Sequence, residues 1–334
     1  MKRVPLEKLK TELKRVLLKK GFSEERAKQC ASLFSNSSLD GVSSHGLNRF
    51  IPFLNDIDKG IINIEAVPAV AKSVGAMEQW DGQLGPGMLN AQLAMNRACE
   101  LASIHGLGLL AMRNTNHWMR GGSYGWQAAE KGFIGICFSN TKPNMPAWGG
   151  IESVIGNNPL IISLPRKHGH IVLDSAQSQF SFGTIENYSK SGHTLPFDGG
   201  YDRQNSLTKN PDEILETQRS LPAGLWKGSG MAIVLDIIAS TLSLGKNTFA
   251  IGKQSKDEYG ISQIFIAIDP LILGEPVEYE KIIENTISSL RGSTPMKGNG
   301  EVYYPGERTL KSRKENLELG VPVEEDIWNK VLEL

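Results

Sequence analysis

Apolar residues recur at helical spacing through the first sixty positions. Leu6, Leu9, Leu13, Val16 and Leu17 form one stripe that Gly21 ends. Ser23 then offers an N-cap with Glu24 and Glu25 in the first turn, and Ala27, Cys30, Ala31 and Phe34 line the next apolar face. A third stripe, Leu47, Phe50, Leu54 and Ile57, stops at Gly60, and Pro52 inside it predicts a kink or a late helix start. From about Val67 the pattern turns to strands alternating with helices. Helices are predicted over 87–104 and 125–131, and buried strands over 107–112 and 133–138. The runs 159–164 and 171–173 flank Arg166-Lys167-His168-Gly169 as a hairpin. The polar stretch 187–217 reads as a long surface excursion. A strongly apolar helix over 231–244, a strand over 261–268 and closing helices over 280–290 and 324–332 complete the pattern. The mixture predicts an α/β fold whose sheet holds both parallel and antiparallel pairs under covering helices.

With 334 residues the chain has room for one large domain or two unequal ones, each able to bury a core. Thirty-six basic residues balance thirty-six acidic ones, so no overall field recruits nucleic acid or an anionic membrane, and neither partner is expected. The N-terminus runs into a charged amphipathic helix without the apolar core of a signal peptide, and no stretch approaches the roughly twenty apolar residues of a membrane span. Cys30, Cys99 and Cys137 have no metal-type spacing and leave an odd thiol. They read as small core residues of a protein from a reducing cytoplasm, with no metal site expected.

The densest chemistry lies in Asn116-His117-Trp118-Met119-Arg120-Gly121-Gly122-Ser123-Tyr124-Gly125. Glycines let backbone approach a small molecule, Arg120 can grip an anion through two parallel hydrogen bonds, and His117 can donate or accept near neutral pH. The plainer alternative is an irregular turn whose polar groups satisfy one another. Gly106-Leu107-Gly108-Leu109-Leu110-Ala111 matches a loose dinucleotide pattern, but a helix precedes it and a strand follows, the reverse of the Rossmann order, so it reads as a helix C-cap. Gly224-Leu225-Trp226-Lys227-Gly228-Ser229-Gly230 opens onto the apolar helix near Met231, an order that suits phosphate, with Lys227 adding charge and Trp226 a stacking face. It lacks the Gly-Lys-Ser/Thr ending of a triphosphate loop. In Ser43-Ser44-His45-Gly46-Leu47-Asn48-Arg49, a helical backbone would set His45 and Arg49 on one face, about 40° apart, one to protonate a carbonyl and the other to hold a neighbouring carboxylate. Asp174, after the apolar run Ile171-Val172-Leu173, stands at a strand end, where it can favour the His45 imidazolium. Gly156-Asn157-Asn158-Pro159 is a tight turn whose amides either face a ligand or only form the turn.

Together the Ser-His-Gly-x-Asn-Arg, Asn-His-Trp-Met-Arg-Gly-Gly-Ser-Tyr-Gly, Gly-Asn-Asn-Pro-Leu and Trp-Lys-Gly-Ser-Gly segments resemble the malate/L-lactate dehydrogenase-like family of nicotinamide-dependent 2-oxoacid reductases, over essentially the whole chain. The resemblance implies a non-Rossmann oxidoreductase that works as a cytoplasmic homodimer. A mainly helical subdomain (1–68 and 276–334) would join a mixed-sheet cofactor subdomain (69–275) with helices on its faces. Carried over by position, His45 is the proton donor, and NAD (as NADH) meets His170, Ile171, Val172, Leu173, Asp174, Ser175, Ala176, Trp226, Lys227, Gly306, Glu307 and Arg308. The cofactor segment departs from the relatives' pattern at Ser175, Ala176, Gln177 and Gln179. The expected substrate is a 2-oxo or 2,3-dioxo sugar acid whose carboxylate and hydroxyls meet Arg49, His117 and Arg120, with Asp174 as the acid that supports His45; the alternatives are another 2-oxoacid, 2-hydroxy acid or cyclic imino acid of the same family, or a catalytically silent sugar-acid binding protein.

Overall fold

The first stripe becomes the buried side of a helix. In a computed structural model that describes residues 2–254, 257–297 and 300–334, Leu9, Leu13, Val16 and Leu17 are all buried on α1 (Leu6–Lys19). Ahead of it lies the short strand β1 (Lys2–Val4). The Ser23 hydroxyl accepts the Arg26 N–H and caps α2 (Glu24–Leu39). A 3-10 turn, Ser43–His45, leads into α3 (Leu47–Asp58). This helix starts two residues after His45 and runs through Pro52, earlier than the proline suggests, because Leu47 N–H is taken by the Ser38 hydroxyl at 2.8 Å.

The sheet region follows the alternation seen in the chain. Its elements are β2 (Ala69–Val74), β3 (Met77–Asp81), α4 (Gly87–His105), β4 (Leu107–Thr115), α5 (Gly122–Glu130), β5 (Ile134–Ser139), β6 (Met145–Pro146), β7 (Ser153–Ile155), β8 (Leu160–Leu164) and β9 (Ile171–Ser175). Gly106 ends α4 in a left-handed conformation at φ +81°, as a C-cap before β4. After β9 come α6 (Phe182–Lys190), β10 (Gly200–Tyr201), β11 (Leu207–Thr208), α7 (Pro211–Thr217), α8 (Trp226–Ser243), α9 (Thr248–Gln254) and β12 (Ile261–Ile268). The chain closes with a 3-10 turn at Pro270–Ile272, then α10 (Pro276–Arg291), α11 (Glu307–Leu319), β13 (Val321–Val323) and α12 (Glu325–Glu333). Seven strands form one sheet in the order β2-β3-β4-β12-β5-β8-β9. Only β3 and β4 run parallel; every other neighbouring pair is antiparallel. This is the mixed, helix-covered sheet of the sequence reading.

Two large apolar clusters organise the interior. One gathers α1, α2 and α3 with Val321, Val323, Trp328 and Val331, so the chain's two ends share a core, and β1 pairs with β13 in antiparallel register. It also takes in Met88, Leu89 and Met119 from the sheet region. The other lies between α4, α5 and the sheet, around Met95, Tyr124, Cys137, Ile161 and Phe265. Cys30 sits in the first, Cys99 and Cys137 in the second, all as free buried thiols. The helix α10 packs against Ile171 through Ile283 and Ile287, with Tyr304 from the segment before α11 in the same cluster.

Two expectations change, and one helix arises where none is expected. The helix placed over 231–244 begins at Trp226, because Gly228 lets its first turn press on the Ala223 and Gln177 backbone, where a Cβ would lie 2.4 Å from Ala223 O. The stretch 187–217 is more than an excursion: α6, α7 and the β10–β11 pair enclose Ile185, Leu195 and Ile214. And α11 has no apolar stripe to announce it, since Asn316 is its one buried residue.

Candidate active site

His45 is held where two helices almost touch. Val42 N–H bonds back to Ser37 O at 2.9 Å, and a Cβ on Gly46 would lie 2.2 Å from the Ser38 hydroxyl, so only glycine fits between the turn and α2. His45 therefore ends the 3-10 turn outside α3, and Arg49 is the third residue inside it; the single continuous helix face does not form. The two side chains still meet electrostatically. The His117 ring lies nearly parallel to that of His45, centroids 5.8 Å apart at 16°. His117 Nδ1 accepts the Met119 N–H at 3.0 Å, which leaves the ring proton on Nε2 and makes His117 a neutral donor. Burial pushes its pKa well below the ordinary histidine value, and the charges of Arg49 and His45 add to this. Arg49 itself has no hydrogen-bond or ion-pair partner among the described residues.

Burial also lowers the His45 pKa, and Arg49 and Arg120 deepen the effect while Asp174 opposes it. The expected compensating acid is thus present, although its hydrogen bond goes elsewhere: Asp174 Oδ2 accepts the Gly122 N–H at 2.8 Å at the start of α5. Arg120 is less open than its glycine-rich setting suggests. Its Nη1 pairs with Asp40 Oδ2, and its buried Nε has no partner. Asp40, which no local pattern singles out, also accepts Arg313 Nη1 from α11 at 2.8 Å.

The three segments expected to contact the cofactor converge on β9. Val172 N–H bonds to Pro305 O at 2.9 Å, placing Gly306 against the strand. Two residues past the end of the strand Ala223 N–H bonds to Gln177 O at 2.8 Å, drawing in Trp226 and Lys227. Val172 turns into the core and Ile171 packs on α10, so those two offer backbone, whereas Leu173 and Asp174 are exposed on opposite faces of the strand, Asp174 on the side of α5. His170 Nδ1 accepts Arg166 N–H, its ring rests near Trp126, and burial lowers its pKa. The Ser175 hydroxyl bonds to Ala176 O at 3.2 Å. Glu307 is tied to Arg291 and to Tyr304 N–H, and the Arg308 guanidinium lies over the Tyr303 ring.

At the glycine cluster before Met231 the open phosphate loop is replaced by a formed helix. Lys227 and Gly228 N–H groups bond to Gly224 O and Ala223 O inside the turn, while Trp226 stands 66% exposed at the helix start. Asn157 and Asn158 are struts. Asn158 is fully buried between Thr141 N–H and Ala232 O, and Asn157 Oδ1 takes Asn144 Nδ2. No group of three or more histidine, cysteine or acidic side chains poised for a metal occurs among the described residues. The arrangement suits polarising a carbonyl with a proton donor and a neutral N–H while a guanidinium holds an adjacent carboxylate.

A profile of the malate/L-lactate dehydrogenase family matches residues 4–332. The chain belongs to this family. The 2,3-diketo-L-gulonate reductases of Citrobacter koseri and Klebsiella pneumoniae are each 45% identical to it over 333 residues, covering 98% of this chain and 99% of theirs. Among solved structures, malate dehydrogenase from Entamoeba histolytica superposes with a TM-score of 0.94 at 27% identity, covering 99% of this chain and 96% of its own. A delta1-piperideine-2-carboxylate reductase from Pseudomonas syringae gives 0.89 at 25% identity, covering 100% and 99%. As a member of the malate/L-lactate dehydrogenase family the chain is an oxidoreductase using a nicotinamide cofactor, on a mixed sheet rather than a Rossmann one. Its residues fit such a group: Leu173 on β9 and Trp226 at the start of α8 stand exposed and leave an apolar and an aromatic face uncovered for planar rings, while the bare Gly122 lets the Asp174 carboxylate close onto the start of α5.

Proposed function

We propose that the chain is an NADH-dependent reductase of a 2-oxo or 2,3-dioxo sugar acid, with 2,3-diketo-L-gulonate reduced at its C2 carbonyl as the reaction. The observation that carries this reading is the parallel His45 and His117 pair beside Arg49, which has no hydrogen-bond or ion-pair partner among the described residues. The bound nicotinamide supplies the hydride. His45 gives its proton to the carbonyl oxygen as charge develops there, and the nearby Asp174 charge sustains the imidazolium. Arg49 holds the carboxylate, His117 Nε2–H reaches a substrate oxygen, and the free Nε of Arg120 is a further donor. The segment from His170 to Ala176 around β9, with Trp226, Lys227 and Gly306 to Arg308, holds the cofactor.

A sugar acid suits the site better than a dicarboxylate. Asp56 follows Arg49 by seven positions and so shares its face of α3. Glu258, which accepts Lys142 N–H at 2.9 Å, joins Asp56 in the field of Arg49. Burial pushes both carboxyls up. Such groups welcome hydroxyls and repel a second acid.

The active form is a cytoplasmic homodimer on this reading. An apolar stripe on α8, including Val234 and Ile237, is exposed on the single chain, and three free thiols suit a reducing compartment. No single helix among the described residues is long and apolar enough to cross a membrane. Reductive turnover measured with 2,3-diketo-L-gulonate, pyruvate, oxaloacetate and a cyclic imino acid, each with NADH and NADPH, tests the reading. Highest kcat/KM for the diketo acid with NADH is expected. A preference for oxaloacetate or the imino acid would overturn the substrate, and a preference for NADPH the cofactor.

A further inference from the structure

Asp40 joins two arginines from distant parts of the chain while almost out of solvent, its side chain 4% exposed. It is the residue that closes α2, its own N–H bonding to Asn36 O and the following Gly41 N–H to Ser38 O, so the helix end fixes the carboxylate. Arg120 is 5% exposed and meets this carboxylate through Nη1. Its unpartnered Nε points toward Gly122: a Cβ there would lie 3.4 Å from that nitrogen and 2.8 Å from Asp174 Oδ2. Arg120, Asp174 and the N-terminus of α5 therefore meet at one point beside His45.

The groups facing His45 come from each element around it. Asp174 stands on β9, Arg49 on α3 and Arg120 in the turn before α5, and the neutral His117 ring lies alongside. Two of these are cations, and a second proton on the imidazole is tolerated only where they are restrained. Arg49 has the substrate carboxylate to neutralise it. Arg120 has Asp40.

We propose that Asp40 is a positioning residue for the reaction: by fixing and neutralising Arg120 it keeps that guanidinium beside Gly122 and Asp174 and allows His45 to carry the proton it donates. The inference rests on the proton-donor reading of His45. It goes beyond that reading by making an acid with no place at the reacting atoms a determinant of the pH range.

The test is the pH profile of kcat/KM for reduction in wild type, Asp40→Asn, Arg120→Gln and the double variant. Reduction needs protonated His45, so activity falls as pH rises through its pKa. Asp40→Asn releases the Arg120 charge and is expected to move this falling limb to lower pH by about half a unit or more. Arg120→Gln is expected to move it upward, and the double variant to coincide with Arg120→Gln, because Asp40 acts through Arg120. An activity loss equal at every pH with an unmoved limb would make the ion pair merely structural and overturn the proposal. Should Asp40→Asn not fold, Arg120→Gln decides alone: an upward shift supports the proposal and an unmoved limb sinks it. His45→Asn run in parallel separates the two readings, since retained turnover there strikes the proton-donor assignment and not the Asp40–Arg120 linkage.

Discussion

Two histidines with similar surroundings have opposite tasks because one ring nitrogen is committed. His117 gives Nδ1 to a backbone N–H, and His45 has only the Ser44 hydroxyl at 3.1 Å, a group that serves either as donor or as acceptor. His45→Asn is expected to lower kcat about 10²- to 10⁴-fold with NADH affinity, read by fluorescence titration, nearly intact. Retention of more than about a tenth of wild-type kcat would remove His45 from the role. His117→Asn keeps an acceptor for Met119 N–H while removing a titrating ring. The folded pKa of His117 lies well below that of an unfolded histidine, so its stabilising effect is complete above about pH 6.5 and is lost as pH falls from there toward the folded value. Each unit between the two values corresponds to about 1.4 kcal/mol. The wild-type Tm should therefore drop between pH 7 and pH 5, and His117→Asn should drop less. Parallel Tm curves would show that the ring is protonated alike in both states.

At the scale of elements, the glycines opening α8 separate close packing from mere flexibility. Gly228 leaves no room for a Cβ, whereas nothing lies within 4 Å of one placed on Gly230. Gly228→Ala is expected to destabilise the fold by about 1–3 kcal/mol through overpacking, and Gly230→Ala to stabilise it by about 0.5–1 kcal/mol through reduced unfolded-state freedom. Denaturant melts of both variants decide; equal effects would mean that the turn relaxes freely. The same helix shows what was legible in the chain. Periods of 3.6 and 2 reveal α1, α4, β4, β5 and β12 because each buries one face or both. The start of α8 reads as a loop because glycine's helix cost is visible locally and the backbone it packs on is not. The polar helix α11 is invisible to periodicity altogether. Of the site, His45, Arg49, His117 and Asp174 are found by residue type and setting. Asp40 and Arg313 are not, since their link spans 273 positions and has no local signature.

For the whole molecule, the exposed stripe of α8 is the feature that a lone chain explains least. Val234 and Ile237 are more than half exposed, and Leu244 just beyond the helix is more so. If this stripe is the homodimer seam, Ile237→Glu should halve the mass seen by light scattering and make Tm independent of protein concentration, as for a monomer. A variant that keeps its dimeric mass would move the seam to another face.

The three buried cysteines turn the molecule into its own clock. Burial pushes the Cys30 thiol up to about 12 and the Cys99 thiol up to about 11, and holds Cys137 well above the ordinary thiol value, so none offers an appreciable thiolate to an alkylating reagent while its surroundings stay closed. Modification must wait for opening, and its rate then reports how often each core opens. Cys30 keeps time for the core shared by the chain's two ends, and Cys99 and Cys137 for the core beneath the sheet. A common rate for all three, followed by mass spectrometry of peptides, would mean that the two cores breathe as one cooperative unit. Faster labelling of Cys30 would mean that the meeting of the termini loosens first, carrying His45 away from its neighbours before the sheet itself gives way.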